Sequence, residues 1–275
     1  MDSDSKKVFS IVYMVAGLSS RFGGKVKQFA RVGKNGETLI EVSINQAISA
    51  GFNKIIFVVG EKTEKLFKEK FGVDYKGIPI FYAKQEFNPI QRDKPWGTCD
   101  AIVSAKKIIN EKFVVCNGDD IYGKKSFKIL FDYLSEEENC ATLGFSLGKV
   151  IPKKGSVNRA IYSIDEKNNV KDLKEIIGIE RENLKELNLT EETLCSMNIF
   201  ALTPQVLNLL EEKLIEFKKN NVDDRKKECY LPVELSQLIK ENKIILKLLE
   251  TPEEWMGVTN PEDEEELKQK IALMN

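Results

Sequence analysis

Residues 15–29, VAGLSSRFGGKVKQF, concentrate the groups best suited to phosphate chemistry. An apolar run from Val8 to Val15 stops at Gly17 and opens into two serines, an arginine, two glycines and two lysines. Glycines let a backbone approach a ligand closely, and successive free N–H groups can cradle an anion. Ser19 and Ser20 add hydroxyl donors, Arg21 a two-pronged fork, and Lys25 and Lys27 point charges, a set that suits a polyphosphate. Two familiar phosphate loops do not fit. The residue after Gly24-Lys25 is Val26 rather than Ser or Thr, and Ser19 stands where a dinucleotide fingerprint needs its second glycine. The chain has no histidine, which removes Ser-His-Asp and Cys-His hydrolysis and His-ligated metals, and leaves carboxylates, lysine, arginine and a hard metal ion.

These groups must be held by a frame, and 275 residues with 42% hydrophobic content suffice for a sizeable core. The runs 8–16, 54–60, 78–83 and 112–118 read as strands, the first, second and fourth apolar almost throughout, as central strands covered on both faces are. Between them, 38–51 opens with a capping box, Thr38 to Glu41, and stops at Gly51, while 61–72 and 97–110 read as further helices. Strand and helix in alternation predict βαβ units, with the cationic loop at the C-terminal end of the first strand, where open α/β sheets bind ligands. Later, 140–148, 158–165 and 196–203 read as strands and 202–220 as a helix with Thr203 as N-cap and Pro204 at its first position. Residues 231–242, 244–250 and a final helix from Asn260 follow, and 175–192 reads as a long polar excursion.

Net charge is −1, so neither nucleic acid nor an anionic membrane is expected as the main partner. No apolar run is long enough to span a bilayer, and the polar start MDSDSKK lacks a signal-peptide core. Five scattered cysteines without a C-x-x-C pair read as reduced thiols, so a cytoplasmic protein is expected.

In order along the chain, four stretches resemble the nucleotidyltransferases that make nucleoside-diphosphate sugars and related activated alcohols. Gly17, Ser20, Arg21 and Lys27 match the pattern G-x-x-S-R, spacer, P-K, with Val26 in the usual proline's place. Gly97-Thr98-x-x-Ala101 resembles the element that starts a helix beside the base, and Gln85 a base-reading glutamine, although 86–95 is longer than expected there. Gly118-Asp119 resembles the metal-binding G-D, and SMNIFALTP the sugar-side strand before a Pro-started helix. The resemblance spans residues 10 to about 260 and implies a single Rossmann-like, GT-A-like α/β domain with a central mixed, mostly parallel sheet flanked by helices. It also implies a nucleotide-binding part over about 8–125 and a sugar-binding part over about 126–275; the sequence shows no hexapeptide repeats, so the C-terminal repeat domain of the bifunctional uridylyltransferases is not expected.

The resemblance implies a reaction too: a phosphate monoester attacks the α-phosphorus of an NTP and expels pyrophosphate. A monoester is largely deprotonated at neutral pH, so no general base is needed. Implied catalytic residues are Arg21 and Lys27; implied nucleotide contacts are Ala16, Gly17, Ser19, Ser20, Gln85, Gly97 and Thr98. Asn158, Glu175 and Asn198 are the implied acceptor contacts, and the cofactor is Mg²⁺, with Asp119 as first ligand. Where relatives carry W-x-D-x-G-T-P-E, this chain reads WMGVTNPED; Gly257 takes the aspartate's place, and Asn260 is the candidate second ligand, as in a G-V-N-N variant of the hexosamine uridylyltransferases. That stretch favours UTP with glucose or N-acetylglucosamine 1-phosphate. A cytidylyltransferase acting on a small phosphorylated alcohol or amide, and an inactive nucleotide-sugar sensor or subunit, are the alternatives. Homo-oligomers occur in the family.

Overall fold

The protein is described by a computed structural model covering residues 7–17, 26–152, 155–257 and 263–273. Its N-terminal part follows the alternation of the sequence. β1 (Ser10–Met14), α1 (Leu39–Ala50), β2 (Lys54–Val59), α2 (Glu61–Phe71), a hairpin of β3 (Asp74–Tyr75) and β4 (Ile78–Lys84), α3 (Thr98–Ser104) and β5 (Phe113–Asn117) come in turn. The second part comprises β6 (Asp120–Ile121), α4 (Lys124–Glu136), β7 (Cys140–Ser146), α5 (Leu147–Val150), β8 (Val157–Ile164), β9 (Val170–Ile179), β10 (Leu194–Ser196) and β11 (Phe200–Leu202). It ends with α6 (Pro204–Asn220), α7 (Leu231–Lys240), β12 (Leu246–Glu250), β13 (Met256–Gly257) and α8 (Asp263–Leu273).

One large mixed sheet runs β3-β4-β2-β1-β5-β11-β7-β10-β8-β9, with β12 also on β7. β4, β2, β1 and β5 are parallel neighbours, and β12 is parallel to β7, while β11, β10, β8 and β9 extend the sheet antiparallel. Alternate side chains feed two cores. Ile11, Tyr13, Ile55, Phe57, Val114 and Cys116 face α1, α2 and α4; Val12, Ile56, Val58, Phe113 and Val115 face α3, α6 and α7. Burial on both faces accounts for the continuous apolar runs of these strands.

Local signals hold at several ends. The Thr38 amide donates to the Glu41 carboxylate at 2.8 Å, which closes the capping box of α1, and α6 carries Pro204 in its first turn. All five cysteines are buried free thiols. Three boundaries differ from expectation. The helix read over 97–110 ends at Ser104, after which the backbone tightens into successive i→i−3 bonds, Ala105 to Ile102, Lys106 to Val103 and Ile108 to Ala105. The strand read over 196–203 is split into β10 and β11, because Asn198 sits between them at φ 56°. The excursion read over 175–192 begins inside β9, and Leu184 and Leu189 beyond it pack into the core.

Candidate active site

β2 and β4 lie on one side of β1 and β5 on the other, so β1 and β5 flank the point where strand order reverses. The crevice beyond their C-terminal ends is the expected ligand site of such a sheet. A cavity of about 1020 Å³ opens here, lined among others by Ala16, Gly17, Gly60, Lys84, Gln85 and Lys94. Gly60 has no room for a side chain, since a Cβ would stand 2.6 Å from the Ala16 carbonyl oxygen. Gly118 is equally constrained: a Cβ would lie 2.2 Å from Val15 Cγ1, so only glycine lets the chain leave β5 close against β1 and turn Asp119 toward the site.

Lys27 reaches the same place from another direction. It begins a short 3-10 turn, Lys27–Phe29, whose Phe29 ring packs on Phe67 and Phe71 of α2 and so fixes the turn against the core. Its Nζ lies 3.0 Å from Asp119 Oδ2, with the lysine side chain 13% exposed and the aspartate 34%. Two residues that are 92 positions apart in sequence thus form one ion pair at the crevice.

Asp120 takes a different environment. It is 6% exposed, and its Oδ2 accepts from Asn117 Nδ2 at 2.9 Å. The single Tyr122 hydroxyl proton reaches either Asp120 Oδ2 at 3.2 Å or the Met197 carbonyl oxygen at 2.9 Å. Burial, and next the neighbouring Asp119 charge, raise the Asp120 pKa to about 7, against the opposing pull of Asn117 and Lys27. The Trp255 indole also favours the ionised form from close by, but its nitrogen falls short of hydrogen-bond geometry.

On the base side, Gln85 Nε2 donates to the Gly97 carbonyl oxygen (2.9 Å) and to Asp100 Oδ2 (2.8 Å). Lys218, in the last turn of α6, holds the other Asp100 oxygen at 2.5 Å. A carbonyl and a carboxylate can only accept, so both amide hydrogens of Gln85 are committed and its Oε1 is the atom left for a ligand. Gly97, at φ 97°, approaches so closely that a Cβ would meet the Cys229 carbonyl oxygen at 2.5 Å. The Thr98 hydroxyl accepts from the Leu231 amide at 2.9 Å, so it ties α3 to α7 rather than lining the cavity.

The long segment 86–95 forms the outer wall and is clamped by two arginines. Arg92 is buried, stacks 3.3 Å over the Trp96 ring and donates to the carbonyls of Asp224 and Lys227. Arg225 returns the contact to Asp93, Ile90 and Pro89. The segment's length is visible in the sequence, but its partners, and Asp100 and Lys218, are set by the fold.

The three acceptor candidates stand apart from one another. Glu175 is exposed on β9, in one cross-strand row with Ala160 and Ser196. Asn158 accepts from the Gly178 amide at the far end of the β8–β9 hairpin. Asn198 follows Met197, whose carbonyl accepts from Tyr122, and it therefore lies next to the Asp120 cluster. Ser19, Ser20, Arg21 and Asn260 lie outside the described residues.

For a metal, the donors available are hard carboxylate oxygens, and among the described residues no three His, Cys, Asp or Glu side chains converge. That suits Mg²⁺, which takes one or two carboxylates and completes its shell with phosphate oxygens and water. Asp119, partly exposed and paired with Lys27, is a carboxylate that could hold such an ion. Among the described residues no helix is long and apolar enough to cross a membrane.

Solved structures of the same fold span nearly the whole chain. The inositol-1-phosphate CTP transferase from T. maritima superposes with TM-score 0.66 at 18% identity, covering 97% of each chain. A UTP-bound UGPase from Acinetobacter baumannii gives 0.65 at 14%, covering 98% of this chain and 94% of that one. HddC from Yersinia pseudotuberculosis, complexed with GMP-PN, gives 0.63 at 17%, covering 96% and 99%. No curated protein matches by sequence. The sequence itself matches the Nucleotidyl transferase family over residues 23–272, and the chain, a nucleotidyltransferase, belongs to that family.

Proposed function

We propose that this nucleotidyltransferase joins an NTP to a sugar 1-phosphate, releasing pyrophosphate, with UTP as donor and glucose or N-acetylglucosamine 1-phosphate as acceptor. The observation that carries the reading is the Lys27–Asp119 pair at the strand-order reversal, beside a cavity large enough for a nucleotide. The choice of UTP is supported by Gln85: its free Oε1 is an acceptor and complements the N3–H of uracil.

The acceptor phosphate is already the nucleophile, so the residues need only align two polyanions and stabilise charge on the phosphoryl oxygens and the departing pyrophosphate. The Ala16–Gly17 backbone admits the phosphates closely, and the Lys27 ammonium offsets their charge. Arg21 and the Ser19–Ser20 hydroxyls contribute further donors in this reading. Mg²⁺ on Asp119 would neutralise the phosphate oxygens as charge moves to the leaving group. Gln85, Gly97 and the start of α3 hold the base, with Thr98 fixing that helix. On the acceptor side, Asn198 beside the Asp120 cluster and Glu175 in the row with Ser196 are the contacts in this reading, with Asn158 apart from them at the end of the hairpin.

A second reading is a cytidylyltransferase for a phosphorylated alcohol, favoured by the likeness to the inositol-1-phosphate CTP transferase. Both are tested by pyrophosphate release with Mg²⁺, crossing the four ribonucleoside triphosphates and dTTP with sugar 1-phosphates, inositol 1-phosphate and phosphocholine. Release that requires UTP and a hexose 1-phosphate is the expected result. Release confined to CTP would establish the second reading, and silence across the grid would sink both.

A further inference from the structure

We propose that Asp120 supplies the second carboxylate to the cation held by Asp119, and that Gly257 is the residue that makes room for it. The inference rests on the transferase reading above and concerns which side chains complete its metal site.

β6 and β13 form a two-stranded antiparallel pair in which Gly257 stands directly opposite Asp120. Directly opposed residues project to the same face, so a side chain at 257 and the Asp120 carboxylate would compete for one space. The distances show how completely: a Cβ on Gly257 would lie 2.9 Å from Asp120 Oδ1 and 2.6 Å from the Trp255 ring. The room that a residue at 257 would fill is taken by the carboxylate of its cross-strand partner and the neighbouring indole.

The charge balance points to a cation. Asp119 and Asp120 are consecutive carboxylates, and the ammonium beside them, Lys27, is paired with Asp119. Arg159 senses Asp120 from a distance, but its guanidinium donates to the carbonyls of Asn158 and Val150. Asp120 is thus nine-tenths buried without an ion-pair partner among the described residues. Among the described residues, the hydrogen bonds to Asp120 from Asn117 and Tyr122 both arrive at Oδ2. A carboxyl group held out of water becomes a good anion when a cation is beside it, and a divalent ion would supply that charge. Its neighbour Asp119 faces the crevice, so one divalent ion at the pair would satisfy both.

The test is Mn²⁺ alone, titrated into the nucleotide-free protein and followed by loss of the free-ion EPR signal. Asp119→Asn and Asp120→Asn should each weaken binding by about tenfold or more. Gly257→Ala removes no ligand but forces Asp120 or Trp255 to move, and it should weaken binding as well; it keeps the test open if Asp120→Asn fails to fold. Loss of Mn²⁺ binding in Asp119→Asn with wild-type binding in a folded Asp120→Asn would overturn the assignment of Asp120 alone. Wild-type protein that binds no Mn²⁺, or binds it equally without Asp119, would instead overturn the metal site on which the transferase reading relies.

Discussion

Lys27 and Asp120 differ in what their charges do, and the difference can be measured. Lys27 is anchored by Phe29 and pairs with Asp119, so in the proposed reaction removing its ammonium would take a fixed positive charge from the transition state and leave the turn in place. Lys27→Met should lower turnover by about 10²–10³ with little change in KM for the acceptor. Steady-state pyrophosphate release checks this, and near-native turnover would remove Lys27 from catalysis. Asp120 acts on stability. Its folded pKa is raised to about 7, against about 3.9 in an unfolded chain. Well below the unfolded pKa, under about pH 3, the group is protonated in both states and has no effect. As pH rises toward 7, the unfolded form ionises first, so the metal-free protein loses stability, by up to about 4 kcal/mol. Asp120→Asn cannot ionise and escapes this loss. Urea melts of the metal-free proteins should therefore show the variant gaining relative to wild type between pH 5 and pH 8; parallel curves would mean that Asp120 is not held near neutrality.

At the scale of elements, base recognition in the proposed reading would depend on three segments that meet only in the folded chain. Asp100 on α3 and Lys218 on α6 are 118 residues apart, and together they fix which end of the Gln85 amide faces the cavity. Asp100→Asn offers Gln85 a donor as well as an acceptor, so the Gly97 carbonyl alone then opposes turning of the amide to present its NH₂ group. The ratio of affinities for UTP and CTP should move toward unity in this variant. Calorimetric titration of both nucleotides checks it, and an unchanged ratio would show that the amide is held by something else. Strands were legible where burial on both faces made the sequence continuously apolar, as at 54–60 and 112–118. β9 was not, because an edge strand rich in Lys, Asp and Glu reads as a polar loop. α3 was overextended because Ile108 and Ile109 continue an apolar pattern after the backbone has left the α-helix. In the site, Asp119 and Lys27 could be read locally, since one ends a strand and the other follows a glycine-rich loop. The Asp100–Lys218 pair and the exchange of room between Asp120 and Gly257 could not, since both are set by which strands and helices become neighbours.

For the molecule as a whole, the question is whether the nucleotide and acceptor parts are separate units. Neither core divides between them. One holds Ile11, Phe57 and Phe67 together with Phe145 and Ile199; the other holds Val12 and Ile56 together with Leu202, Leu210 and Leu235. β11 closes the free edge of β5, and α6 and α7 cover the sheet face beside α3. The loop clamp adds Arg92 and Arg225, each bonded across the two parts. A fragment ending near Glu138 would expose one edge of β5 and most of that covered face, so the two parts should unfold in a single transition. The chain provides its own probes, because its two tryptophans, Trp96 and Trp255, fall one in each part. In Trp255→Phe, fluorescence reports on the nucleotide part; in Trp96→Phe, on the acceptor part. Within each variant the urea midpoint by fluorescence should coincide with that by far-UV circular dichroism. A fluorescence transition that precedes the circular dichroism transition in either variant would mean that one part opens alone, and the shared cores would then be too weak to couple them.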